Sequence, residues 1–155
     1  MNIVKQLKIL NWRTWRKRHF QYWNKKFAEV FPTIILGTLI GTYLDLYFVG
    51  KQFYSFPARP MPEIFTVNVL LTLLGLPIFI LFFLFMAKRL TVWGRAGFIL
   101  ILSLFGSILE KLAEEMGLFV HSIHWKHFYT FWGYFIYMVV LLSFHLLTKS
   151  RDESK

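Results

Sequence analysis

Cysteine is absent from all 155 residues, which excludes disulfides, thiolate metal sites and cysteine nucleophiles. Acidic side chains are scarce: eight Asp and Glu stand against eighteen Lys and Arg, for a formal net charge of +10. No glycine-rich phosphate loop, HExxH, GxSxG or acidic calcium loop occurs, so the enzyme and ion-binding classes those motifs mark have no support. Charge of either sign is sparse, at 17% of residues, whereas 56% are hydrophobic and mean hydropathy is +0.49. So apolar a chain of this size has too little polar surface to cover a water-soluble globule. A lipid-facing exterior removes the difficulty, because apolar side chains then point outward.

What is present is organised in blocks. Four apolar stretches, about 31–49, 64–87, 96–116 and 128–147, are each near the ~20 residues that cross a bilayer core. Pro32 falls in the first turn of the first stretch, and Gly75 and Pro77 predict a kink in the second. Between these two stretches, Pro57, Pro60 and Pro62 forbid a helix through the loop. The expected fold is all-α: an integral membrane four-helix bundle over 31–148, preceded by an N-terminal amphipathic cytoplasmic helix within residues 1–30 and followed by a polar tail, 149–155.

The arm over residues 1–30 holds eight of the eighteen basic residues. At helical spacing Trp12, Trp15 and Trp23 share an apolar face, and Lys17 and Lys25 fall opposite, with Arg16 and Lys26 as exceptions to the pattern and Arg18 adding to the charge. Such a helix suits the surface of an anionic leaflet, so lipid headgroups are the expected partner of the arm. A cleavable signal peptide is not expected, because the apolar core starts late and no small-residue cleavage site follows.

Counting Lys and Arg by side gives orientation. The N-terminal arm, the turn holding Lys88, Arg89 and Arg95, and the C-terminal tail carry fourteen; the opposite side has only Lys51, Arg59, Lys111 and Lys126. The positive-inside rule then places the chain in the cell membrane with both termini cytoplasmic. The basic balance is chiefly a topology signal, and no nucleic-acid partner is expected.

Polar residues inside spans face the bundle interior, so their phase shows which faces meet. Gly37, Gly41 and Asp45 repeat on the first span, Asn68, Thr72 and Gly75 on the second, Ser103, Ser107, Glu110 and Glu114 on the third, and His127, Thr130, Tyr134 and Tyr137 on the fourth. By depth, Asp45, Arg59, Glu63, Asn68, Glu110, Lys111, Glu114, His121 and His127 gather at the outer end, and they form the candidate polar cluster. Asp45 reads as a cation ligand or proton carrier, or as the partner of Arg59, Lys111 or Lys51. Asn68 reads as interhelical hydrogen-bonding glue. Glu110 and Glu114, four apart, project from one helical face as paired carboxylates do in metal or acid–base sites, whereas Lys111 and Glu115 have the spacing of a surface ion pair. Glu110, Glu114, His121 and His127 are the candidate ligands should a divalent metal bind, with His124 between them in HSIHWKH; no cofactor is otherwise implied.

The segments GTYLDLYFVGKQFYSFPARPMPEIFTVN and EKLAEEMGLFVHSIHWKHFYTFWGY resemble an uncharacterised family of small four-span membrane proteins from Bacillus-like and clostridial spore-forming bacteria. The resemblance covers about residues 37–147 and leaves the basic arm outside. It implies a Gram-positive membrane setting and carries no activity. The motif positions it implies are Asp45, Tyr54, Pro57, Arg59, Pro60, Pro62, Glu63, Asn68, Glu110, Lys111, Glu114, His121, Trp125 and His127. Three functional classes are expected from these readings. The first is a non-enzymatic membrane protein whose outer cluster binds an ion, a small polar ligand or a partner subunit, or simply holds the bundle together. The others are a metal-assisted enzyme acting on a lipid or envelope substrate, and a proton or cation path through a homo-oligomer.

Overall fold

The computed structural model describes residues 3–123 and 125–153, with side chains described for 27–123, 125–126 and 128–150. Four helices dominate: α1 (Ile3–Gly50), α2 (Leu76–Ala87), α3 (Val92–Glu115) and α4 (His127–Glu153). A π-helical turn, Leu71–Gly75, leads directly into α2. Three helical segments, Phe27–Gly50, Val92–Glu115 and Phe128–Ser150, are long and apolar enough to cross a membrane; Leu71–Ala87 is apolar but shorter.

Two boundaries differ from the sequence expectation. α1 continues through Pro32, so the arm and the first apolar stretch form one helix where the sequence places a division at residue 30. Proline withholds a single N–H from the ladder, leaving the Ala28 carbonyl without its usual donor, and the helix continues past that one missing bond. The second helix begins later than residue 64 because the loop before it is held in another shape. Arg59 gathers the carbonyls of Phe56 (2.6 Å) and Phe65 (2.7 Å), and Asn68 Oδ1 accepts from Leu71 N at 3.2 Å, acting as a cap. The side chains of Trp12, Trp15, Arg16, Lys17, Arg18, Trp23, Lys25 and Lys26, and those of His124 and His127, lie outside the described residues.

The helices meet through one main core. α4 packs on α3 and α1, α1 packs on α2, and Phe83 of α2 stacks on Phe98 of α3 with ring centroids 6.0 Å apart. Val30, Ile80, Phe83, Leu84, Ala87, Ile99, Met138 and Leu141 fill the interior. Small residues set the approach of α1: a Cβ on Gly37 would lie 2.7 Å from both Ile80 and Leu141, and one on Gly41 would collide with Leu76. Outside, large apolar side chains such as Leu39, Leu73, Ile101, Leu104 and Ile136 are exposed around the bundle.

One element lies outside an all-α description. The loop after α1 and the loop after α3 pair as two short antiparallel strands, β1 (Tyr54–Ser55) and β2 (Val120–His121), in the register Tyr54 to His121 and Ser55 to Val120. Strand alternation turns Tyr54 and His121 inward and leaves Ser55 and Val120 outside. Both parent helices close with the same backbone motif. After α1, Phe53 N bonds Phe48 O and Gln52 N bonds Val49 O, each at 3.0 Å; after α3, Leu118 N bonds Ala113 O and Gly117 N bonds Glu114 O, each at 2.9 Å. The motif requires a left-handed residue, which is Gly117 (φ 71°) on α3 and Gln52 (φ 59°) on α1.

Candidate functional site

A second, aromatic core caps the bundle beneath the strand pair. Tyr54, Phe56, Val67 and Phe119 are buried there against Phe48, Val49 and Ala113. The strand register delivers the His121 ring into this layer, where Trp125 stacks on it (centroids 5.5 Å, planes 14° apart) and Phe119 meets it edge-on at 4.5 Å.

His121 lies between two carboxylates. Its Nε2 is 2.8 Å from Glu110 Oε1 and its Nδ1 3.0 Å from Glu114 Oε2, and its backbone N donates to Glu114 Oε1 at 3.2 Å. Glu110 and Glu114 reach one ring because four residues bring them to the same face of α3. A neutral imidazole carries one N–H, so hydrogen bonds at both nitrogens need two protons shared among the three groups. Glu110 is held further from α4: Thr130 Oγ1 donates to Oε1 at 2.6 Å and Tyr134 OH to Oε2 at 3.3 Å. Trp125 Nε1 donates to Thr130 Oγ1 at 2.9 Å, extending the chain to the ring that covers His121.

Asp45 approaches the same place from the end of α1. Tyr54 OH donates to its Oδ1 at 2.5 Å, and the Asp45 and Glu110 charges lie near enough to repel. Burial, reinforced by the Asp45 charge, holds the Tyr54 phenol well above its ordinary range, so it remains a proton donor to Asp45. A small opening of about 230 Å³ lies against the strand pair, lined by Gln52, Tyr54, Ser55, His121 and Ser122 among others, so that two members of the network, Tyr54 and His121, border it.

The predicted cluster is therefore brought together only in part. Asp45, Glu110, Glu114 and His121 converge, joined by Tyr54, Trp125, Thr130 and Tyr134. Arg59 does not pair with Asp45; its guanidinium binds the carbonyls of Phe56, Pro62 and Phe65 and braces its own loop. Lys51 and Lys111 are exposed and likewise do not meet Asp45, whose carboxylate takes a phenol instead. Asn68 ties its own helix start and the Ala58 carbonyl rather than a neighbouring helix, and Glu63 is exposed. Among the described residues no group of three His, Asp or Glu is arranged to hold a metal ion, and both His121 nitrogens already face carboxylates.

The opposite end holds a smaller ionisable group, drawn from the arm (Glu29), the turn before α3 (Lys88) and the fourth apolar stretch (His145). Glu29 of α1 pairs with Lys88 at 3.1 Å and lies 3.8 Å from His145 Nε2. His145 is buried; Thr33 Oγ1 stands 3.4 Å from its Nδ1, and its Nε2 has no hydrogen-bond partner among the described residues. Glu29 was findable as the one acidic residue in a basic segment, a turn before Thr33 on the same helical face. Between the two ends Ile80, Phe83, Leu84, Met138 and Leu141 form a fully buried apolar layer. No protein family, curated protein or solved structure matches the chain.

Proposed function

We propose that this chain is a multi-pass protein of a Gram-positive cell membrane, with four spans, both termini cytoplasmic, and an outer polar network that binds a small cation. The setting is supported by three helices of spanning length, a fourth apolar helix beside them, and an exterior of exposed Leu, Ile and Phe that water would not tolerate. In this reading Leu71–Ala87 spans together with the ordered loop before it, and the basic arm rests on the anionic inner leaflet.

The observation that carries the binding reading is a charge imbalance. Asp45 and Glu110 converge near one another, and their hydrogen-bond donors are hydroxyls and one imidazole, with no Lys or Arg paired to either among the described residues. Buried carboxylates ordinarily have a cationic partner; His121 can serve Glu110, whereas Asp45 has only the Tyr54 phenol among the described residues. A proton or small cation entering by the opening beside Tyr54 and His121 supplies the missing charge, and the surrounding rings add favourable faces for it. The apolar layer through mid-bundle argues for binding at one end over a continuous ion path. His121, engaged at both nitrogens, argues against the metal-assisted enzyme.

The test is thermal unfolding of the detergent-purified protein in sodium, potassium, ammonium and tetramethylammonium chloride at equal ionic strength. One of these cations raises the Tm of wild type and leaves Glu110→Gln unchanged. If none of them separates the two proteins, the network is structural only and the binding reading fails. A reporter inserted near Ser55 reads external and one after Lys155 reads cytoplasmic; the reverse moves the network to the inner face.

A further inference from the structure

A groove of about 390 Å³ runs between α3 and α4, lined by Arg95, Ile99, Phe135, Val139, Leu142 and Leu146 among others. All its described walls are apolar except at one end, where Arg95 stands. Arg95 is half-buried; its Nε donates to the Ala87 carbonyl at 3.0 Å, and its two terminal nitrogens have no partner among the described residues. A guanidinium fixed through Nε with both terminal nitrogens unengaged presents the planar fork that takes a phosphate in two parallel hydrogen bonds.

The dimensions fit one ligand class. From Phe135 to Leu146 the groove follows α4 for about 16 Å at helical rise. One leaflet's hydrocarbon depth is about 15 Å. The basic end coincides with the edge of the bundle where Lys88, Arg89 and Lys149 also lie, and Trp93, 86% exposed two residues before Arg95, has the position of an interfacial anchor.

We infer that the α3/α4 groove holds one acyl chain of an anionic phospholipid whose phosphate is bound by Arg95. This rests on the membrane setting proposed above and is independent of the outer network. Arg95 gives preference for a phosphate whose charge is not cancelled by a neighbouring ammonium group. The groove gives preference for a lipid over a free phosphate.

The experiment uses the full chain in detergent, exposed to equal mole fractions of phosphatidylglycerol and phosphatidylcholine. Native mass spectrometry counts retained lipid, and Tm is read alongside. Wild type retains one phosphatidylglycerol with roughly tenfold preference, the scale of one charge-assisted pair of hydrogen bonds. Inorganic phosphate at the same concentration gives no rise in Tm. Arg95→Gln loses the preference through the headgroup, and Val139→Trp loses it by filling the groove while Arg95 stays in place. Equal retention of the two lipids, unchanged preference in both variants, or stabilisation by inorganic phosphate equal to that by the lipid would each overturn the inference. Recovery of the protein in the soluble fraction without detergent would instead overturn the membrane setting, so the two failures are distinguishable.

Discussion

The two ends of this bundle each bury a histidine beside a glutamate, and they treat it differently. At the strand-pair end His121 has a carboxylate at each ring nitrogen, a stacked indole over its face and a strand register that fixes its position. At the opposite end His145 has a long contact to Thr33 at one nitrogen and, among the described residues, no hydrogen bond at the other, and its glutamate is paired to Lys88. A fully connected buried network restricts the chain to one arrangement, whereas a half-connected one adds little. The strand-pair end is therefore the built site, even though both ends contain the same residue types.

The largest expected effect breaks the comparison at Glu110. Glu110→Ala removes the acceptor of His121, Thr130 and Tyr134 together and is expected to destabilise by about 3 kcal/mol or more, read as a fall in Tm. His145→Leu, the counterpart at the opposite end, is expected to cost less than about 1 kcal/mol, because it removes a buried polar atom that has no partner among the described residues. If the two variants cost the same, the asymmetry drawn here is wrong. Tyr54→Phe sharpens the picture of Asp45. It removes the phenol donor, costs about 1–2 kcal/mol, and leaves the strand pair in place. Because the folded phenol is held neutral above its ordinary range, its contribution is fully present below about pH 10 and declines as pH rises beyond it. An alkaline unfolding series in wild type and Tyr54→Phe checks this, with the gap between them narrowing above that pH.

The smallest effect compares the two helix ends beside the strand pair. Gln52 occupies the left-handed position that Gly117 fills on α3, so Gln52→Gly is expected to stabilise by about 1 kcal/mol. Gly117→Gln is expected to destabilise by a similar amount through backbone conformation alone, since a Cβ there meets no neighbour. A Gln52→Gly variant that is less stable than wild type would show that the glutamine side chain, at the edge of the opening, has a role the backbone argument misses.

The helices were legible from composition and period, and so was the meeting of Asp45, Glu110, Glu114 and His121, because four-residue spacing on α3 and depth along the spans are local quantities. The partners were harder to read. Tyr54 reaches Asp45 only because two loops more than sixty residues apart pair in one particular register, and nothing in either loop shows strand alternation over more than three residues. By charge alone Arg59, Lys111 and Lys51 are equal candidates for the counter-ion of Asp45, and Arg59 is already occupied. Three carbonyls of its own proline-rich loop hold it instead, a local competition that a charge count cannot resolve. Pro32 marks a boundary in the sequence that the helix runs through, with one backbone hydrogen bond given up.

The most direct test of the account places the two ends side by side in one measurement. The Tm of wild type, Glu110→Gln and His145→Leu is read with and without the stabilising cation at constant ionic strength. The account predicts the same upward shift in wild type and His145→Leu and none in Glu110→Gln. A shift that persists in Glu110→Gln, or disappears in His145→Leu, contradicts it.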